Sequence, residues 1–543
     1  MKKFLATLLA LTMLLAMAAP ALAEEVPTVS VMEAGGTALY QPYLSPTLVG
    51  LLKIQDIAGV KIEWNIPGGT NDEIQAQYLS ILASGNYPDI IKWQHNNSYV
   101  GGVAQLYQDG IIIRLNEVID QYMPNYKKLL EENPQVAKTL MDDDGNYLYF
   151  TVINPLNTEL EKASVTWWGL MMRQDWLDNV GMEAPTTIDE WYEVLTAFKE
   201  GDPNGNGEMD EIPFDGGSAG IGLFMPAFGI SSGAYIDPET GKVGYGEYGE
   251  DYKAYLETMN KWYAEGLIQN VFLDETGAPT ATADNNIYAD LSGSWKGLSN
   301  YWEQRLPMVL EKNPNADFVA VQWPTYVNNS DVFYAGDYGM GYGDRVSVVI
   351  TVDCKNIEAA ARLIDTMYTE EGTNLTTWGT EDSDPFNATQ EWTGGRGTYY
   401  IAEDGSFKET DWANEICTNF YDGAFPNKYR YAMSHASWPR WGAAEYIMAT
   451  REDTYVNSSK LWALADNSLE YPAAIVLSVD AQKAVAEIEN MGTYIAEMQY
   501  KFITGEEPLT NYDAYMEQLQ KMGIEELIKL YQEAYDRFMA RGN

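Results

Sequence analysis

The sequence predicts an α/β fold in two domains, and three observations carry that prediction. Apolar runs and helical periodicities alternate near the start: Thr28 to Met32, Leu44 to Ala58, Lys61 to Ile66, Asn71 to Ser84 and Asp89 to Lys92. This βαβαβ order implies a parallel sheet with right-handed crossovers. A second buried strand, VSVVITV from Val346 to Val352, is followed by a helix from Ile357 to Met367. The length of 543 residues allows two domains and a large core.

Met1 to Ala23 reads as a secretory signal, with Lys2 and Lys3 before an apolar stretch and Ala21-Leu22-Ala23 as the cleavage site. Its core is too short for a transmembrane helix. Removing the two lysines would take the formal charge from −45 to −47. Such a surface repels nucleic acid, phosphates and anionic lipid, and it favours neutral sugars over uronates. Two cysteines, Cys354 and Cys417, do not make a metal motif or a disulfide framework, and either one bridge or two thiols is possible. With only His95 and His435, a zinc-hydrolase site is hard to build.

Within the first domain, Thr70 and Glu73 have the spacing of a capping box and Gly85 stops that helix. Ligands of such sheets sit beyond the carboxyl ends of the strands, which directs attention to the loops Glu33 to Tyr40, Pro67 to Thr70 and Trp93 to Tyr99. Asp142 to Asn146 reads as a hairpin turn, because strand-like residues follow at once. After the apolar run Trp167 to Met172, Gly181 can close a short helix, and Thr187 with Glu190 opens an amphipathic one. Asp202, Asn204 and Asn206 then alternate as oxygen donors, Gly207 permits a sharp turn, and Asp210 and Glu211 follow. Hard oxygen ligands at this spacing suit Ca2+. Pro213 occupies the position where an EF-hand needs its twelfth-position Glu, so Glu211 must close the shell early. An ordinary Asn/Gly turn with solvated acids is the alternative.

The runs RQDWLDNVG, APTTIDEWYEVLTAFKE and DPNGNGEMDEIPF resemble the extracellular solute-binding proteins of ABC importers, in particular the carbohydrate-binding branch that includes alginate-oligosaccharide-binding proteins. Leu82 to Ile91, Gly110 to Pro134, Cys354 to Gly372 and Phe502 to Gly523 extend the resemblance across the chain. It implies a two-lobed periplasmic-binding-protein-like fold, each lobe a mostly parallel sheet flanked by helices. Lobe 1 would comprise 24–152 and 346–384, lobe 2 would comprise 153–345 and 385–543, and the hinge would lie at Phe150 to Asn154 and near Arg345 to Val346. It also implies structural calcium on Asp202, Asn204, Asn206, the Glu208 carbonyl, Asp210 and Glu211, and an ABC permease as partner of a monomeric receptor. Many relatives carry a lipid-attached Cys just after the signal; none stands here, so a periplasmic or cell-surface location is expected without that anchor.

Aromatic residues point to sugar, since pyranose C–H faces rest on indole and phenol rings while hydroxyls need polar partners. Of 16 Trp, six stand in loop-like contexts and are candidate ligand platforms: Trp93, Trp295, Trp378, Trp392, Trp438 and Trp441. Gln94, Asn96, Asp290, Lys296 and Arg440 are candidate polar partners, whereas Trp167, Trp176 and Trp191 fit core patterns. Each of the six is, taken alone, more often a packing residue. The stretch 216–220 spells a nucleophile elbow and 244–249 a dinucleotide loop, but the first lacks a leading strand and the second is surrounded by acids. The expected function is a non-catalytic oligosaccharide receptor. Alternatives are a secreted glycoside hydrolase with paired carboxylates, and the same fold carrying a peptide or other solute.

Overall fold

The computed structural model describes residues 26–33, 46, 48–68, 70–93, 98–216, 221–268, 283–335, 347–391, 393–405, 407–413, 438–442, 444, 448, 451–472, 474–486 and 490–541. The signal region, Gln94, His95, Asn96, Arg345, Val346, Trp392, Cys417 and His435 lie outside them.

β1 (Thr28–Glu33) pairs in parallel with β2 (Lys61–Asn65) and β3 (Ile90–Trp93). Between them run α1 (Val49–Ala58) and α2 (Asn71–Ser84), as the βαβαβ pattern predicts. Both halves of the Thr70/Glu73 capping box form, and Gly85 ends α2 at φ 68°. Because side chains alternate across a sheet, Val29, Val31 and Ile90 face one layer and Met32, Ile91 and Trp93 the other. α1 contributes to the first layer and α2 to the second, where it is joined by α3 (Gly102–Gln108). The first layer also takes α4 (Asn116–Tyr122) and α5 (Pro124–Glu132).

The chain leaves through β4 (Val152–Ile153), just after Phe150 exchanges both backbone hydrogen bonds with Val348 at 2.8 Å. In the second lobe β5 (Trp168–Arg173) is central. α6 (Gln174–Val180) and α7 (Ile188–Gly201) follow, the latter burying Trp191, Val194, Leu195 and Phe198 at helical spacing. With α8 (Glu250–Ala264) they build a core in which Phe224 lies edge-on to Trp191 at 5.1 Å and to Trp262 at 5.2 Å. Trp176 and Trp191 are fully buried there, as the apolar patterns predict. β6 (Ser294–Leu298) and β7 (Phe318–Val321) both pair with β5 antiparallel. This corrects the expected mostly parallel sheet for lobe 2. The strand-helix-strand alternation that dictates parallel pairing exists only in the first lobe, and long excursions separate these strands, so nothing fixes their direction.

β8 (Ser347–Ile350) returns to the first sheet antiparallel to β3, giving the order β8-β3-β1-β2. α9 (Ile357–Met367) and α10 (Glu370–Trp378) pack beside α1. A hairpin of β9 (Tyr399–Ile401) and β10 (Phe407–Glu409) follows, and Phe407 stacks on Trp378. β11 (Arg440–Trp441) then lies parallel to β4, and Trp438 enters the first lobe's core. Lobe 1 therefore takes residues beyond the expected boundary at 384. α11 (Asp453–Trp462) and the helices α12 (Asn490–Thr504), α13 (Tyr512–Met522) and α14 (Ile524–Ala540) belong to lobe 2. The far end of α14 reaches back, where Arg537 and Arg541 both bond Asp143 of lobe 1. Among the described residues, no helix is long and apolar enough to cross a membrane.

Gly169 on β5 is required by close approach, because an added Cβ would stand 2.4 Å from the indole of Trp462. Trp462 is wholly buried and donates Nε1 to the Val321 carbonyl at 3.0 Å, so it cannot turn aside cheaply. Gly169→Ala is expected to destabilise the protein by about 1–3 kcal/mol, the usual cost of overpacking, read as a lower urea midpoint with unchanged slope.

Candidate functional site

The carboxyl ends of β1 and β3 place Glu33 and Lys92 as direct neighbours on the sheet, both facing the α1 side. They are 2% and 5% exposed, and Lys92 Nζ donates to Glu33 Oε1 at 2.6 Å. Burying two charges is tolerated only with a partner at such range. The ammonium also lies 5.5 Å over the Trp438 ring, and Trp438 meets Trp64 of β2 edge-on at 5.9 Å. Among the described residues, Glu33 Oε2 and the Trp438 indole N–H find no hydrogen-bond partner. An unmade bond of this kind costs on the order of 1–3 kcal/mol, so a solute offering hydroxyls would gain by filling it. Trp441 is half-buried beside this cluster and Arg440 is buried on the same strand.

The other candidates scatter, for packing reasons. Trp93 turns to the opposite face of the sheet, against Tyr78 at 5.7 Å. Trp295 is fully buried on β6, edge-on to Phe318 at 5.0 Å, and so presents no ring face to solvent. Trp378 is enclosed by Phe407 and Tyr399. Asp290 is not in a cleft with them; it bonds Arg173 and Asn204. Lys296 sits 3.9 Å over the ring of Trp168, and Trp167 packs next to it. Trp167 and Trp168 are half-buried, so this corner at the start of β5 is less enclosed than the core expected for Trp167. Lys92, Trp64 and Trp168 are members that sequence reasoning missed, and Glu33 was marked only as the first residue of the loop Glu33 to Tyr40. The available signal was charge at the carboxyl tip of a largely apolar strand, in the runs TVSVME and IIKW where a core pattern should continue.

The 202–211 loop curls its side-chain oxygens inward through a series of short turns. Asp202 Oδ1 and Asn204 Oδ1 accept from the Asn206 amide, Asp202 Oδ2 from that of Gly207, and Asn206 Oδ1 from that of Glu208, at 2.6–3.1 Å. Asp202 itself takes φ 45°, and Asp210 Oδ1 accepts from Asn206 Nδ2 at 3.0 Å. Glu211 is half-buried, and its two carboxylate oxygens are enclosed with, among the described residues, no donor in full hydrogen-bond geometry; only the backbone N–H groups of Glu211 and Asp210 lie near enough to act on them. Burial pushes its carboxyl up, the backbone N–H groups of Glu211 and Asp210 pull partly the other way, and the negative charges of Asp210 and Asp202 keep it raised. Anionic oxygen without a donor is what a hard cation would relieve. Among the described residues no three carboxylate, imidazole or thiol side chains gather at metal-ligand range, so the loop's capacity rests on mixing carboxylates with Asn oxygens and a carbonyl.

Comparison with known proteins agrees with this architecture. The chain is 27% identical over 512 residues to FusA of Streptococcus pneumoniae serotype 4, described as a fructooligosaccharide ABC transporter substrate-binding protein; the match covers 91% of this chain and 87% of FusA. The structure of FusA with kestose superposes with a TM-score of 0.67 at 24% identity, covering 94% of this chain and 99% of that one. An EF-hand mutant of FusA with fructo-nystose gives 0.66, also at 24% identity, covering 94% and 99%. The alginate-binding protein AlgQ2 without calcium ion gives 0.63 at 20% identity, covering 94% and 98%. These structural likenesses establish the fold. The sequence pattern of the bacterial extracellular solute-binding proteins matches residues 55–374. With two lobes joined by paired crossover strands and its open hydrogen-bonding groups at a sheet's carboxyl edge, the chain belongs to the bacterial extracellular solute-binding proteins, a family of binding proteins and not of enzymes.

Proposed function

We propose that the protein captures an oligosaccharide between its lobes outside the cytoplasm, as a monomer, and hands it to the permease of an ABC importer. The observation that carries this reading is the buried Glu33–Lys92 pair under Trp438, with a carboxylate oxygen and an indole N–H left open where the chain crosses between lobes. Half-buried Trp441 is the described part of the lobe 1 wall, with Trp438 and Arg440 buried behind it, and Gln94 and Asn96, which follow β3 in the sequence, are assigned to the same wall. Trp168 with Lys296 is the matching aromatic corner of lobe 2. The kinship to FusA supports a sugar as the solute. Neutral sugars fit best, because the charge of Lys92 is already matched by Glu33 and the whole chain carries −45.

Calorimetric titration with neutral fructo- and manno-oligosaccharides and with uronate oligomers of equal length tests this. Binding of at least one neutral sugar, intact after incubation, and affinity at least about tenfold weaker for uronates are expected; silence across the panel refutes the reading. Glu33→Gln should weaken that binding by roughly tenfold, about 1.4 kcal/mol, in line with a hydrogen bond to a charged group. Lys92→Met leaves a buried carboxylate alone and should cost about 3–5 kcal/mol of stability, largely recovered when Glu33→Gln is added.

Calcium in the 202–211 loop belongs to the same proposal, held by Asp202, Asn204, Asn206, the Glu208 carbonyl, Asp210 and Glu211. The enclosed oxygens of Glu211 and the existence of an EF-hand in FusA support it. At calcium a hundredfold above its Kd the ion would stabilise the fold by about 2.7 kcal/mol, so chelation should lower the melting temperature by several degrees. Since the Glu211 carboxyl is raised, the ion must displace a proton at mildly acidic pH, and its affinity should fall on acidification. A melt indifferent to chelator would count against the ion.

A further inference from the structure

Arg173 closes β5 with its guanidinium 1% exposed between two carboxylates. Nε and Nη2 clasp Asp175 in a fork at 2.8 and 2.6 Å, and Nη1 bonds Asp290. Asp290 takes φ 65°, a left-handed conformation that a residue with a Cβ keeps only where its surroundings enforce it. Its carbonyl accepts Asn204 Nδ2 at 3.1 Å. A carbonyl can accept only from the nitrogen end of that amide, so the bond decides which way the group faces and leaves Asn204 Oδ1 on the loop's interior side, where it meets the Asn206 amide at 3.0 Å. The same short segment is stitched to the loop's exit and to β5: Ile212 donates to Leu291, Gly293 to Ile212, and Arg173 to Gly293, at 2.8–2.9 Å.

We propose that Arg173 and Asp290 are positioning residues for the cation loop: the ion pair holds Asp290 in its left-handed turn, the Asp290 carbonyl orients the Asn204 amide, and this fixes calcium affinity although neither residue touches the ion. The inference rests on the calcium reading above and goes beyond it by placing affinity control outside the loop. Partners behind first ligands commonly change metal affinity by about 10–100-fold.

Two variants of the full chain decide it, read by calorimetric titration of Ca2+ into chelator-stripped protein. Asn204→Asp keeps both oxygens and adds a negative charge, so charge count alone makes calcium bind tighter. Loss of the Nδ2 donor instead sets a carboxylate oxygen against the Asp290 carbonyl, and the expected result is roughly tenfold weaker binding; equal or tighter binding overturns the proposal. Asp290→Asn tolerates the left-handed turn but removes the charge held by Arg173, and in protein that remains folded it should likewise raise the calcium Kd by roughly tenfold. A lower melting temperature in chelator with unchanged calcium Kd would assign the pair to packing alone and overturn it. If the wild-type protein takes up no calcium, the loop reading falls and this inference falls with it.

Discussion

Two hydrophobic cores that share almost no side chains are joined by the chain's own crossings between them, and this joint is what the remaining architecture depends on. On the lobe 1 side the crossings are anchored where Phe150 pairs with Val348 and two-residue β4 lies against two-residue β11, and Arg537 and Arg541 reach across to Asp143. Strands this short constrain position while leaving their neighbours' dihedrals free to adjust, which is how small rotations open and close a gap between rigid bodies. Rigidity on either side is provided by packing: the Phe224 ladder with Trp191 and Trp262 in one lobe, the α1, α9 and α10 layer in the other. Binding would then shift a two-state balance only as far as the solute touches both lobes better when they meet.

Both candidate sites are made by the same device, an acidic group buried short of its full complement of partners. Among the described residues, Glu33 satisfies Lys92 with one oxygen at the sheet edge and leaves the other open, and in the loop Glu211 has only the weak help of nearby backbone N–H groups. The two are distinguished by charge. The first is neutral as a pair and flanked by indoles, which suits an uncharged solute rich in hydroxyls. The second accumulates uncompensated anions from Asp202, Asp210 and Glu211, which suits a hard cation. Arg173 sits between these regimes at the end of β5, with its charge matched on both sides and its role confined to holding backbone in place.

The first lobe's sheet, both capping boxes, the amphipathic face of α7 and the oxygen-rich loop were legible because each is written in local spacing. The antiparallel sheet of lobe 2 was not, since strands brought together from distant parts of the chain leave no periodicity that reveals their direction. Tryptophan was the least readable signal. Trp295 and Trp378 stand in Gly-rich or Thr-rich contexts that look like loops, yet the surrounding chain folds over them, and Trp438 is just as enclosed, though it lies at the sheet edge beside Lys92. Local composition reports whether a segment is regular and says little about what will cover it. Asp290 shows the converse: an acid chosen as a sugar partner turned out to be a left-handed turn residue tied to Arg173, information carried by backbone conformation alone.

The late arrival of Trp438 has a further consequence for how the molecule is made. This fully enclosed residue completes a core whose first strand begins at Thr28, and β11 closes beside β4 only after the chain has made its excursion through the other lobe. A chain emerging from its N-terminus therefore cannot seal that core until residue 441 has appeared, and such long sequence separations slow folding. The nascent protein would stay loosely packed through most of its synthesis, a state suited to threading across a membrane and vulnerable to proteases until the final quarter is out.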